Sequence, residues 1–437
     1  METPTACPGS VQPRRNPHRN GRHTPSAIPV VQKVRRLQPP EKSSSNHQPQ
    51  RESNQETEAS SESLKVYLRI RPQVISRGQM ENTRQVKKVR PQRPNKINKE
   101  ISENKSDGAA SFESCISVND GSRSVTVQPP ASLQDPKRSK SEVFEGFSLV
   151  FPHDSSQEDV WEQMVKPLVE EFVEGKSGTL AALGPSGSGK TYTMFGTPKK
   201  PGIVPLALRQ LFQTMPNGGF YLSVFEIYSE QGKTERIHDL SQHGTELSMH
   251  QSVIKGLQKV SFSNASQADT LISSALLKRA TAITCTNNQS SRSQCVINVG
   301  NQHNDAVLSF IDLAGAEREK NTRNRGSRLL ESNFINKTVM VFGQCLRSLL
   351  EHQRNPKKPL QKHFQNSLLT KYLRDHLLGK KRMTLILTVK PHSESYLDTV
   401  FLLRQCSPLS NITFDNTHHS VTFPVNKRQK ITESSHS

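Results

Sequence analysis

An apolar run that breaks into glycines constrains this chain more than any other feature. Gly178 to Leu183 (GTLAAL) runs into Gly184-Pro185-Ser186-Gly187-Ser188-Gly189-Lys190-Thr191, followed by the helix-compatible YTMFG. Gly184, four residues, then Gly189-Lys190-Thr191 is the phosphate-binding loop spacing. Its mechanics need a buried strand to deliver the chain. They also need glycines whose backbone N–H groups curl around phosphate oxygens, and a helix N-terminus with its partial positive charge. Lys190 is expected to reach the β and γ phosphates, and the Thr191 hydroxyl to ligate Mg²⁺. A strand–loop–helix unit of this kind belongs in an α/β domain.

The surrounding pattern agrees. A period-two strand is expected at Leu64–Pro72, and a hairpin over Cys115–Gln128 turns at Asn119-Asp120-Gly121. Phe147–Phe151 reads as a buried strand, and Ser156–Gly175 as a helix with a Ser cap. Beyond the loop, strands are expected at Phe220–Ser229, Gln294–Asn301, Asp305–Leu313 and Arg382–Val389. Helices are expected at Ala265–Ala280, Leu329–Gln353, Gln365–Gly379 and Ser395–Cys406. Only 32% of the 437 residues are hydrophobic, so part of the chain is expected to lie outside the core. Residues 1–62, rich in Pro, Ser, Gln, Asn and Arg, read as a disordered basic arm. The domain is placed at 63–415 with a basic surface insertion at 82–110, and 416–437 form a short tail. No apolar run is long enough to span a membrane. No heptad pattern is long enough for a coiled coil, so the oligomeric state is not legible. The six cysteines lack paired spacing, so they suggest reduced thiols and no zinc site.

Two further segments complete a nucleotide site. In VLSFIDLAGAE, Asp312 follows an apolar run and is expected to hold Mg²⁺ through water, while Gly315 presents an N–H to the γ-phosphate. In NNQSSRSQ, Asn287 to Gln294, clustered serines offer hydroxyls to Mg²⁺, the γ-phosphate and an attacking water. By itself that stretch would read as a Ser-rich loop. Arg292 and Glu317 carry opposite charges on the two segments and are expected to clamp them when triphosphate is bound.

These three segments, GPSGSGKTYTMFG, NNQSSRSQ and DLAGAE, resemble in order and spacing the phosphate loop, switch I and switch II of the kinesin motor domain. KVYLRIRP, GIVPLAL, VFEIYSE, INKTVMVFGQCLRSL and SYLDTVFLLRQCSP resemble further landmarks of that family, so the likeness covers about residues 63 to 415. The insertion after the first strand and the loop wording resemble the mitotic, central-spindle branch in its plant form. The resemblance implies a P-loop NTPase-type fold, with a mostly parallel central sheet flanked by helices. It implies a microtubule-stimulated ATP hydrolase. ATP phosphates would lie on Gly184, Pro185, Ser186, Gly187, Ser188, Gly189, Lys190 and Thr191, and adenine beside Arg69, Arg71 and Pro72. It implies Mg²⁺ on Thr191 and Ser293 with Asp312 through water, γ-phosphate sensing by Ser290, Ser291 and Gly315, and the Arg292–Glu317 latch. The implied partner is tubulin, contacted by the helix around Ile335-Asn336-Lys337, and the implied location is the cytoplasmic microtubule cytoskeleton, the spindle included. An acidic tubulin surface would account for the net charge of +20 without nucleic acid. The basic cluster Val425–Ile431 reads as a nuclear signal or a solvated tail.

Three departures from the family pattern stand out. Gln294 replaces the usual His, and Ala316 the usual Ser. Phe364-Gln365-Asn366-Ser367-Leu368-Leu369-Thr370-Lys371 replaces a more charged track-facing segment; Lys357, Lys358, Lys362 and Lys371 are candidates to compensate. They motivate a second reading, a motor-like microtubule-binding protein with weak or absent coupling of hydrolysis. A GTPase is disfavoured, because its Asn-Lys-x-Asp guanine motif occurs only at Asn104–Asp107, upstream of the loop. A nucleic-acid binder driven by the basic arm is a fourth reading. It would bind through residues 1–62 with steep salt dependence. No stalk or cargo segment is expected within these 437 residues.

Overall fold

The computed structural model describes residues 62–72, 114–133, 140–230, 234–284, 293–315 and 327–414. Residues 1–61 of the expected basic arm, the 82–110 insertion, the basic tail, Ser290, Ser291, Arg292, Ala316 and Glu317 lie outside these residues, while Glu62 opens β1.

The strands, in chain order, are β1 (Glu62–Ser63), β2 (Lys65–Ile70), β3 (Ile116–Val118), β4 (Val125–Val127), β5 (Glu142–Phe144), β6 (Leu149–Phe151) and β7 (Gly178–Leu183). Then follow β8 (Gly196–Thr197), β9 (Lys200–Pro201), β10 (Phe220–Glu230), β11 (Thr234–Asp239), β12 (Glu246–His250), β13 (Val253–Lys255) and β14 (Val260–Phe262). The last are β15 (Gln294–Asn301), β16 (Val307–Asp312), β17 (Thr384–Val389) and β18 (Thr413–Phe414). The α-helices are α1 (Gln157–Val160), α2 (Lys166–Val173), α3 (Lys190–Phe195), α4 (Ile203–Thr214), α5 (Ala265–Thr284), α6 (Ser327–Arg354), α7 (Leu368–Tyr372), α8 (Arg374–Leu377) and α9 (Tyr396–Cys406).

The central sheet has eleven strands in the order β13-β12-β11-β10-β15-β16-β7-β17-β2-β6, with β14 also on β10. From β16 to β6 every pairing is parallel; from β16 through β15 and β10 to β13 every pairing is antiparallel. The expected mostly parallel sheet is a mixed one, with its parallel strands gathered on one side. Tight connections account for most of the antiparallel pairs. Residues 302–306 join β15 to β16 and 231–233 join β10 to β11, and neither is long enough for the crossover a parallel pair needs.

The core lies on both faces of the sheet. Along β7, Ala181 and Leu183 face one cluster with Phe342 and Leu346 of α6, while Leu180 and Ala182 face another with Phe172, Val204 and Phe220. Burial on both faces explains why GTLAAL reads as a continuous apolar run instead of an alternating one. The loop that follows β7 lies at the carboxyl end of this parallel half, where open α/β sheets place ligands.

Two expected helices are interrupted. Ser156 caps α1 in a capping box with Asp159, but Trp161–Val165 forms a π turn before α2. Pro167 sits in the first turn of α2, and its missing N–H removes a donor from the regular helical ladder. The expected helix over 365–379 is a 3-10 turn (His363–Asn366), then α7, then α8. Ser367 stops the first turn by adopting extended φ/ψ, and its hydroxyl accepts the Thr370 N–H at 3.1 Å. The expected hairpin forms β3 and β4, and β4 pairs in turn with β5 in a separate sheet.

Candidate functional site

The loop between β7 and α3 opens onto a cavity of about 570 Å³, lined by Arg69, Arg71, Pro72, residues 186–193, Lys200, Arg279 and residues 312–315. Gly184 packs so closely that a Cβ would stand 2.3 Å from the Thr388 carbonyl oxygen. Gly189 takes φ +107° at the start of α3, a conformation that L side chains rarely adopt. Between them Ser188 Oγ meets Thr388 Oγ1 at 2.6 Å, which ties the loop to β17. Lys190 Nζ donates to the carbonyls of Gly184 (2.8 Å) and Pro185 (3.1 Å) and so lies over the loop.

The acid end of the site is assembled from three elements. Asp312 ends β16, and its Oδ2 accepts the Thr191 hydroxyl at 2.9 Å and Arg279 Nη1 at 3.1 Å. Arg279 comes from α5, and it also donates through Nε to Ser293 Oγ (3.0 Å) and through Nη2 to Ser293 O (2.7 Å). Arg279 and Asp312 are almost fully buried, with side chains 5% and 2% exposed. Among the described residues, Asp312 Oδ1 is buried without a hydrogen-bond partner. A buried carboxylate oxygen of that kind, beside the Thr191 and Ser293 hydroxyls, is a hard-oxygen donor set that suits Mg²⁺ held jointly with substrate phosphates. Glu226 on β10 lies behind this group. Burial raises its pKa, against the opposing effects of the Ser293 hydrogen bond and the Arg279 charge.

Of the residues expected to act, Gly184 to Thr191, Ser293, Asp312 and Gly315 are brought together. A Cβ on Gly315 would stand 2.1 Å from Ser186 Oγ, so switch II touches the loop directly. The three residues expected beside adenine divide into two roles. Arg71 and Pro72 are exposed at the cavity mouth, where Arg71 donates to the Gly187 carbonyl. Arg69 is 3% exposed and fastens β2 to the helices behind the loop, donating to Gln157 Oε1 (2.6 Å) and Thr193 Oγ1 (3.0 Å). Its guanidinium lies 5.7 Å from the Tyr192 ring centroid.

Arg279, Glu226 and Gln157 were not singled out from sequence. Arg279 did leave a signal. It falls on the stripe Ala268, Ile272, Ala275, the buried face of α5, where a charge requires a buried partner. Gln294, the departure from His, is 3% exposed, and its Oε1 accepts the Ala314 N–H at 2.6 Å. The altered 364–371 segment buries Ser367, Leu369 and Thr370, while Lys357, Lys358, Lys362 and Lys371 are exposed. Glu235 on β11 joins this region, accepting the Leu368 N–H and, at 3.4 Å, the Thr338 hydroxyl of α6. No helix among the described residues is long and apolar enough to cross a membrane.

Comparison with known proteins matches residues 69–412 to the family model "Kinesin motor domain". Kinesin-like protein KIN-6 of Oryza sativa is 46% identical over 433 residues, covering 95% of this chain and 43% of that protein. Kinesin-like protein KIN-6 of Arabidopsis thaliana is 44% identical, covering 98% of this chain and 48% of its own length. The chain thus spans about half the length of these curated relatives. Among solved structures, the KIF14 dimer in its two-heads-bound state, with AMP-PNP and in complex with a microtubule, aligns with a TM-score of 0.62 at 24% identity. That alignment covers 81% of this chain and 95% of the other. A fast kinesin aligns with a TM-score of 0.61 at 24% identity, covering 85% and 98%.

Proposed function

We propose, from the premise that this chain belongs to the kinesin motor domain family, that it is a microtubule-dependent motor ATPase. The observation that carries this reading is the junction of Thr191, Asp312, Arg279 and Ser293 beside the phosphate loop. ATP is the proposed substrate; Thr191, Ser293 and Asp312 would hold Mg²⁺, which when bound would neutralise phosphate charge.

The chain's own residues divide the work. Backbone N–H groups of Gly187 to Thr191 and the N-terminus of α3 hold phosphate oxygens, with Lys190 turning from the loop carbonyls toward them. Thr191, Ser293 and Asp312 are the proposed metal-side oxygens. Arg279 ties Asp312 to Ser293 and holds the two in register. Gly315, in contact with the loop at Ser186, reports whether a γ-phosphate is present. Ser290, Ser291, Arg292 and Glu317 are proposed to close over it, with the Arg292–Glu317 pair as latch. Arg71 and Pro72 at the mouth flank the base.

Coupling to the track is proposed through α6 and the 357–371 segment. Exposed Lys337, Lys357, Lys358, Lys362 and Lys371 there suit an acidic tubulin surface. Lys358 is partly occupied by Glu351 at 2.9 Å. The proposed location is the cytoplasmic microtubule cytoskeleton. The test is phosphate release by the purified chain with Mg²⁺ and ATP, measured with and without polymerised tubulin. Stimulation by microtubules is expected. Microtubule binding without stimulation would favour the non-cycling binder that the changes at Gln294, Ala316 and 364–371 suggest.

A further inference from the structure

Gln294 opens β15 immediately after Ser293, yet its side chain acts on a different element. Its Oε1 accepts the N–H of Ala314, 20 residues on, and the residue is 3% exposed. The backbone after Asp312 is consequently held step by step. Leu313 N–H donates to Ala182 O of β7 at 3.3 Å, and Ala314 N–H donates to Gln294 at 2.6 Å. Gly315 comes next and lies against Ser186 of the loop, with no room for a Cβ.

We propose that Gln294 is a positioning residue for triphosphate recognition: its side-chain amide sets the switch II turn so that Gly315 meets the phosphate loop. This rests on the reading that the cavity takes ATP. The argument is one of lever and contact. A buried N–H left without an acceptor is costly, so the turn would move until Ala314 found another partner. A one-residue movement there displaces Gly315, the group placed to distinguish a triphosphate from a diphosphate. The loop itself is held independently by Thr388 and α3. Removing the acceptor should therefore weaken triphosphate binding and spare diphosphate binding. A merely structural role would weaken both together. The acceptor, not the amide nitrogen, is what the position requires. A neutral imidazole also offers an acceptor nitrogen and should serve.

The experiment uses the full chain with Mg²⁺, measuring the affinities of ADP and of the non-hydrolysable AMP-PNP by displacement of a fluorescent ADP. Gln294→Leu keeps the volume and removes the acceptor. Gln294→Ala, which cannot overfill the site, carries the same measurement should the leucine variant fail to fold. Gln294→His is assayed at about pH 8, where the imidazole is neutral. The expected result is a loss of about tenfold in AMP-PNP affinity with ADP affinity unchanged within twofold, and recovery in Gln294→His. Equal losses for both nucleotides, or no loss for either, overturn the proposal. If the unaltered chain binds neither nucleotide, the reading of the cavity fails first and this inference falls with it.

Discussion

Arg279→Met tests whether one buried ion pair binds α5, β15 and β16 into a working site. Arg279 donates to Asp312 Oδ2, Ser293 Oγ and Ser293 O, and both charged side chains are nearly inaccessible. Methionine preserves length and packing but leaves Asp312 buried with the Thr191 hydroxyl as its remaining donor on Oδ2. Breaking one side of a buried pair costs about 3–5 kcal/mol. That is a large share of the roughly 5–15 kcal/mol that holds a typical domain. Trp161, the single tryptophan, is buried in the core and reports unfolding by fluorescence. With a urea dependence of about 3 kcal/mol per molar for a large domain, the midpoint should fall by about 1 M or more. Arg279→Met with Asp312→Asn removes the orphaned charge. The double variant should therefore be less destabilised than the sum of the singles by about 2 kcal/mol. A midpoint shift under about 0.3 M, or strict additivity in the cycle, would refute the reasoning.

Other outcomes follow from the same geometry. Gly315→Ala should lower kcat/KM for ATP about 100-fold, because relieving a Cβ 2.1 Å from Ser186 Oγ needs a shift of order 1 Å in switch or loop; turnover within threefold of the parent would contradict it. His376 is buried on α8 beside Thr179, and burial pushes its pKa down to about 4 from 6.5. The unfolded chain takes up this proton first as pH falls, so stability should drop between about pH 6.5 and 4, by at most about 3 kcal/mol. His376→Gln should flatten that slope in urea titrations, and an unchanged slope would assign it to other groups. Ser156→Ala removes the hydroxyl half of the capping box and should cost about 1 kcal/mol in the same unfolding assay.

Much of the fold was legible because it is written in local periods. GTLAAL is a continuous apolar run since both faces of β7 are covered, and α6 appears as a helix because Phe342, Cys345, Leu346 and Leu349 recur on one face. The breaks were less legible. Pro167 is visible in the sequence, but a π turn is one of several ways a chain can absorb it. Ser367 could have lain inside a helix, and its capping role emerged from the extended backbone it adopts against Thr370. The mixed sheet is not legible in the sequence for a different reason. Strand patterns do not state which neighbour a strand takes, and the short β15–β16 and β10–β11 connections settle that by geometry.

The sequence by itself determined the phosphate-loop spacing, the order of the three site segments, and the family to which the chain belongs. Those features are encoded within a dozen residues each, where spacing and glycine chemistry leave few alternatives. The tertiary structure decided how the pieces are joined: Arg279 to Asp312 across 33 residues, Gln294 to Ala314 across 20, Arg69 to Thr193 across 124. A hydrogen bond over such distances depends on where two elements meet in space. No local pattern carries that information, since it exists only once α5, β15, β16 and the loop pack around one buried ion pair.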